Sequence, residues 1–186
     1  LQHSWHENND FLHLCGVSLT GVVRRPDLGP YELRLLRNAA IMGAYSMADE
    51  LGLPRPKNVT TLKPEGTISK CYDTTEGAHK PLARYVFNNV TFVKHDPLVN
   101  VLREAGYKIM PHPNGTGDWV VTLPVCWDDV DFDKVGDLEV NEETAIDQLE
   151  RYKLLMDNYV EQNCSITVSY DPSEVDAIVE WLLQYW

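Results

Sequence analysis

Asn58-Val59-Thr60-Thr61-Leu62-Lys63-Pro64-Glu65-Gly66-Thr67-Ile68-Ser69 runs from a β-branched stretch into a proline corner, a glycine and two hydroxyl residues. Val59, Thr60 and Thr61 are stiff at χ1 and suit a pleated strand; Pro64 to Thr67 ends it with turn chemistry. The residue types after the strand fit an anion. A phosphate needs several converging donors: Gly66 lets a backbone approach it, Thr67 and Ser69 offer hydroxyls and N–H groups, and a helix starting here would point its positive end at the bound charge. The same spacing also fits a plain turn whose hydroxyls only cap a short helix. Without a GKS or GKT tripeptide the loop is not of the Walker type.

Outward from that loop, the chain alternates strand and helix signals. Leu12 to Val23, apolar and small with Gly16 and Gly21, predicts a buried strand. From Tyr31 to Leu51, the apolar residues Leu33, Leu36, Ala40, Gly43, Ala44, Met47, Ala48 and Leu51 recur at three-four spacing, which predicts a helix ended by Pro54 and Pro56. Downstream, Arg84 to Val93 predicts a strand, Asp96-Pro97 the start of a short helix closed by Gly106, and Asp118 to Val125 another strand. The acidic stretch Asp128 to Asp137 reads as a solvated loop. A long helix opens at Asn141 and carries Ala145, Ile146, Leu149, Tyr152, Met156, Tyr159 and Val160 on one face. Asn163 to Tyr170 then predicts a strand, and Asp171-Pro172-Ser173-Glu174 a capping box that launches a last helix through Val175, Ile178, Val179 and Leu182. This alternation predicts an α/β protein on a parallel or mixed sheet, in which ligands bind where strands lead into loops. The two long helices should lie outside the strands, with Met47 and Met156 turned inward and Arg34, Arg37, Glu150 and Lys153 facing water.

Composition narrows the function. With 28 acidic and 16 basic residues among 186, the net charge is -12, which repels a polynucleotide backbone. No apolar stretch approaches the roughly 20 residues of a membrane helix, so neither nucleic acid nor membrane is expected as a partner and a cytoplasmic location is. Cys15, Cys71, Cys126 and Cys164 are scattered and the six histidines are dispersed. That pattern lacks CxxC and zinc-ligand spacings, and predicts buried free thiols and no metal site.

Thr60 to Ser69, followed by Thr75-Glu76-Gly77-Ala78-His79, resembles the substrate-phosphate loop of adenosylcobalamin-dependent (class II) ribonucleotide reductases, especially the monomeric type that reduces ribonucleoside triphosphates. Three further stretches are similar to the family in the same order. Cys15-Gly16-Val17-Ser18-Leu19-Thr20-Gly21-Val22 resembles the barrel strand after the catalytic-cysteine loop. Val90-Thr91-Phe92 with Asp96-Pro97-Leu98 and Ala105-Gly106-Tyr107 resembles the segment after the phosphate loop, and Asn163-Cys164-Ser165-Ile166-Thr167-Val168 the last barrel strand.

The resemblance implies that residues 1–186 are the C-terminal portion of a ten-stranded α/β barrel of the ribonucleotide reductase and glycyl-radical enzyme type. It implies adenosylcobalamin as cofactor, a ribonucleotide substrate, the upstream portion of the same reductase as partner, and a thioredoxin-type reductant. In the family, the cofactor generates a thiyl radical on a cysteine that removes the ribose 3′ hydrogen, and the 2′ hydroxyl leaves as water. The family's Asn-Pro-Cys-Gly-Glu radical loop does not occur in this sequence, nor can its redox cysteines be matched. The chain is therefore expected to begin after the catalytic loop, to contain no catalytic residue and to be inactive alone. Its contribution would be Pro64, Glu65, Gly66, Thr67, Ile68 and Ser69 around the substrate phosphates, di- or triphosphate. Glu65 stands where the family has a small residue and should point to solvent or to a ribose hydroxyl. Two other readings are a fragment of a glycyl-radical or other barrel radical enzyme, and a non-enzymatic nucleotide-binding module.

Overall fold

The β-branched run does become strand, but a short one. In the computed structural model, which describes residues 2–66 and 68–185 and only the backbone of Gln2, Ile68 and Cys71, the elements in chain order are α1 (Gln2–Leu12), β1 (Val17–Ser18), α2 (Pro30–Leu51), β2 (Thr60–Thr61), α3 (Ile68–Cys71), β3 (Tyr85–Phe92), α4 (Leu98–Glu104), β4 (Lys108–Pro111), β5 (Trp119–Cys126), β6 (Asp133–Val135), β7 (Leu138–Val140), α5 (Ala145–Asn158) and α6 (Val175–Tyr185). They form two compact units, one of Leu1–Pro81 with Glu142–Trp186 and the other of Leu82–Asn141.

In the first unit β1 and β2 are parallel, Val17 opposite Thr60, and a parallel bridge joins Leu62 to Cys164. Three extended segments thus lie side by side. Leu33, Leu62, Ala78, Leu155, Tyr159 and Cys164 bury themselves between them and the helices, with Leu19, Tyr152 and Ile166 packed around. Glu161 clips this core together: its Oε2 accepts the amides of Val59 at 2.8 Å and Thr60 at 3.3 Å, while its Oε1 pairs with Arg37 of α2 at 3.3 Å. Burial alone would push the Glu161 carboxyl up, but those two amides and the guanidinium outweigh it and hold it below the usual carboxylate range.

Several expectations are corrected here. Leu12 to Val23 is not one buried strand: Leu12 ends α1, only Val17–Ser18 pairs, and Gly21 at φ 77 turns the chain into a 3-10 helix at Val22–Arg24. Nor is Asn163 to Tyr170 a strand. Beyond the bridge at Cys164, its backbone is taken by a side chain, since the Gln148 amide donates to Ser169 O at 2.9 Å and accepts from Ser169 N at 3.0 Å. α2 forms as expected but stops at Gly52 (φ 67), two residues before Pro54. Its inward stripe is narrower than the periodicity suggests: Leu33 and Ala48 are buried, whereas Met47 is 53% exposed and Leu36 and Leu51 are also exposed. Met156, by contrast, packs against the core. Arg34 is exposed as expected, Arg37 is half-buried and Glu150 is exposed as expected, and each has a partner. They bind Asn158 Oδ1 at 2.7 Å, Glu161 and the Trp181 indole N–H at 2.6 Å respectively.

The second unit is an antiparallel sheet in the order β3-β5-β4, with Phe92 opposite Trp119 and Ile109 opposite Val121; Val99 of α4 and Val121 are buried. Of the parallel or mixed pairing expected, the parallel part lies in the first unit and the strands of the second are antiparallel. The acidic stretch exposes its aspartates as expected, but it is not a plain loop. Val130 is buried, β6 and β7 make a hairpin, and Arg84 pins the segment through Trp127 O (3.1 Å), Asp128 O (3.0 Å), Glu139 (2.8 Å) and the Phe132 ring. The root of the unit is closed by Asn141 N donating to Leu82 O at 2.9 Å.

Candidate functional site

β2 delivers the chain into the loop along a fixed line. Leu62 N donates to Asn163 O at 2.8 Å, Ser165 N to Leu62 O at 2.9 Å, and Lys63 N to the Ser18 hydroxyl at 3.1 Å. Pro64 and Gly66 then stand exposed, while Ser69 is fully buried on α3. Thr67 lies outside the described residues, as does the side chain of Ile68. The expectation that Glu65 faces solvent is corrected: its side chain is only 13% exposed and pairs with Lys63 Nζ at 3.2 Å. The Ser69 amide is occupied, donating to Glu65 O at 3.0 Å, but its hydroxyl has no hydrogen-bond partner among the described residues.

Lys70, to which the sequence reading gave no role, meets a residue of the Thr75 to His79 motif. Glu76 Oε1 pairs with Lys70 Nζ at 2.6 Å, and Oε2 lies 3.8 Å from His79 Nε2. The Thr75 hydroxyl and His79 Nδ1 are buried without a partner among the described residues, like the Ser69 hydroxyl. Buried polar atoms left open in this way call for an explanation such as a bound group or water. The stretch Thr75 to His79 is visible in the sequence as a motif, but a lysine and a glutamate six positions apart carry no local signal. Only the turn between them brings them together.

The glycines of this region differ in kind. Gly77 has φ +47, and a Cβ there would sit 2.9 Å from Lys63 O; Gly21 has φ +77, and a Cβ would run into the Thr74 hydroxyl. Both are required by the fold. Gly66 is outside the left-handed region, and a Cβ there would have nothing nearer than the Glu76 carboxylate at 3.8 Å.

Elsewhere the chemistry is quiet. Cys15, Cys126 and Cys164 are free thiols, and burial pushes Cys164 up to about 11. Among the described residues no group of three or more His, Cys, Asp or Glu is placed to hold a metal ion, and no helix is long and apolar enough to cross a membrane. Two cavities, of about 320 and 560 Å³, are lined by Leu149, Tyr152, Cys164 and Trp181 and by Phe87, Tyr107, Lys108 and Met110 respectively.

Against known proteins, no family model matches the chain. It is 34% identical over 146 residues to an adenosylcobalamin-dependent ribonucleoside-triphosphate reductase of Lacticaseibacillus paracasei, covering 76% of this chain and 18% of that protein. An enzyme of the same name from Levilactobacillus brevis is 30% identical over 154 residues, covering 81% of this chain and 20% of that one. A probable one from Dictyostelium discoideum is 28% identical, over 73% of this chain and 17% of its own length. The chain thus spans about a fifth of the curated relatives it matches. Among solved structures, the crystal structure of a B12-dependent (class II) ribonucleotide reductase matches with a TM-score of 0.76 and 20% identity, over 97% of this chain and 29% of that one.

Proposed function

We propose that this chain, a homologue of one segment of the adenosylcobalamin-dependent ribonucleoside-triphosphate reductases, supplies the loop that holds the substrate phosphates of such an enzyme. The observation that carries the reading is Gly66, an exposed glycine that the fold does not need. A glycine costs roughly 0.5–1 kcal/mol in lost backbone freedom, and is retained where something must come close to the main chain. Here it follows a parallel strand and comes three residues before Ser69, whose buried hydroxyl has no partner among the described residues, so an anion seated on the loop would meet the Gly66 backbone directly. Pro64 sets the corner, Glu65 is neutralised by Lys63, and Thr67, Ile68 and Ser69 complete the contact.

The segments at Val17, Thr60 and Cys164 are read as neighbouring staves in the C-terminal part of a ten-stranded α/β barrel, completed by the upstream portion of the enzyme. The substrate is a ribonucleoside triphosphate reduced to its 2′-deoxy form, in the cytoplasm, with a thioredoxin-type reductant. Adenosylcobalamin, bound by the whole enzyme, supplies the radical initiation. The residues described here do not fit it: neither cavity approaches the size of a corrin, and His3 and His6 stand exposed beside Glu7 and Asp10. This chain's part is therefore binding and orientation, which raise the rate by holding the ribose in one attitude to the reacting group.

The test is turnover of each ribonucleotide by the chain joined to an upstream portion carrying the radical loop. Thr67→Ala with Ser69→Ala should raise KM, each lost charge-assisted bond costing about 1.5–3 kcal/mol. The chain alone should reduce nothing. An unchanged KM would remove the loop assignment; activity without the cofactor would favour another radical enzyme.

A further inference from the structure

We infer that Lys70 is the cationic contact of the phosphate loop, with Glu76 as the positioning residue that holds it ready; this rests on the phosphate-binding reading of residues 64–69. In a chain of net charge -12, a local cation beside the amides would strengthen a loop that takes several negative charges. The charged groups around it decide which one. Arg24 is turned to Asp73 O, and Arg151 to Ala78 O and Glu143. Lys63 pairs with Glu65, but its side chain is 61% exposed, so water and salt screen its charge. Lys70 and Glu76 are 25% and 31% exposed, and their charges are felt more strongly.

Position agrees with charge. The Glu76 carboxylate lies 3.8 to 4.0 Å from where a Cβ on Gly66 would be, and the Lys70 ammonium is 2.6 Å from that carboxylate. The ammonium therefore stands one carboxylate away from the glycine backbone that the anion approaches. On the other oxygen of Glu76 stands His79, at 3.8 Å. When a phosphate oxygen takes Lys70, Glu76 keeps a neighbour in His79 and is not left as a lone partly buried charge. Lys70 thus passes from a carboxylate to a phosphate with little change of place, and the empty loop carries no uncompensated cation.

The experiment uses inorganic triphosphate and the full 186-residue chain, with the dissociation constant measured by calorimetry at low salt and Gly66 followed by its amide resonance. Lys70→Met should weaken binding about tenfold or more, the loss of one charge-assisted contact, while Lys70→Arg and the control Lys153→Met, on α5 beside Asp157, stay within about threefold of the parent. Should Lys70→Met fail to fold, the Lys70 Nζ resonance in the unaltered chain decides, since triphosphate must shift it. Binding that survives Lys70→Met, or an Nζ resonance that triphosphate leaves in place, overturns the inference and spares the loop. Absence of any binding, with the Gly66 amide unmoved, overturns the loop reading and this inference with it.

Discussion

Three glycines within one region make different demands. Gly66→Ala adds a methyl group in ordinary contact with Glu76 on an unstrained backbone, so stability should hold or rise by about 0.4–1 kcal/mol while phosphate binding falls. Gly77→Ala forces a left-handed alanine against Lys63 O and should destabilise by about 2 kcal/mol or more. Thermal unfolding of the two variants checks the contrast, and a Gly66→Ala chain that unfolds early would mean the fold needs this glycine after all. Glu161 adds a pH dependence. Its folded carboxyl lies below its unfolded value, so the stability it contributes is full above the unfolded value and lost as pH falls through the folded one. Glu161→Gln should therefore cost about 1.5–3 kcal/mol at neutral pH, and the difference from the parent should shrink below about pH 5. Denaturant melts at pH 7 and pH 4 that gave the same difference would contradict this. Cys164, with its thiol at about 11, should be alkylated more slowly than Cys15 in the native chain, because the thiolate is the nucleophile. Mass spectrometry after a short maleimide pulse reads the order directly.

At the scale of elements, the start of the last helix was legible, whereas the helix read from Asn141 begins at Ala145, α1 was not read at all, and strand ends were not legible. The Asp171 capping box forms as its residues dictate, Ser173 N donating to Asp171 Oδ1 at 2.9 Å and Asp171 N to Glu174 Oε2 at 2.8 Å. What no local pattern indicates is the second role of Glu174, whose Oε1 accepts the Ala145 amide at 2.9 Å and so caps α5 as well as its own helix. α5 has its own box in Thr144 and Asp147. Thr144→Ala should cost about 1 kcal/mol, whereas Glu174→Ala removes caps from two helices and should cost about 2 kcal/mol or more. Equal losses in urea unfolding would show that the Ala145 contact contributes nothing. The segment after Cys164 failed as a strand because alternation describes side chains and not backbone partners. Gln148, buried on α5, supplies those partners instead.

At the scale of the whole molecule, the core around Leu62 and Tyr159 draws no residue from Leu82–Asn141, whose root is shut by the bond from Asn141 N to Leu82 O. Replacing that unit by a short turn should leave a cooperative unfolding transition in the remainder, since the two chain ends already lie within hydrogen-bond distance. Loss of that transition in circular dichroism would show that the first unit does not fold without the second.

From the sequence alone came the α/β class, the two long helices, the Asp171 capping box, the strand at Thr60 with a loop after it, and the family it resembles. All of these rest on patterns within a few residues: β-branched runs, three-four periodicity, capping boxes, a proline and a glycine. Only the tertiary structure decided that parallel pairing is confined to one unit, that Met47 faces outward, that Glu65 is tied to Lys63, and that Lys70, Glu76 and His79 converge beneath Gly66. Each of these depends on which distant segment a backbone or charged group meets, and periodicity in a sequence shows a face without naming its partner.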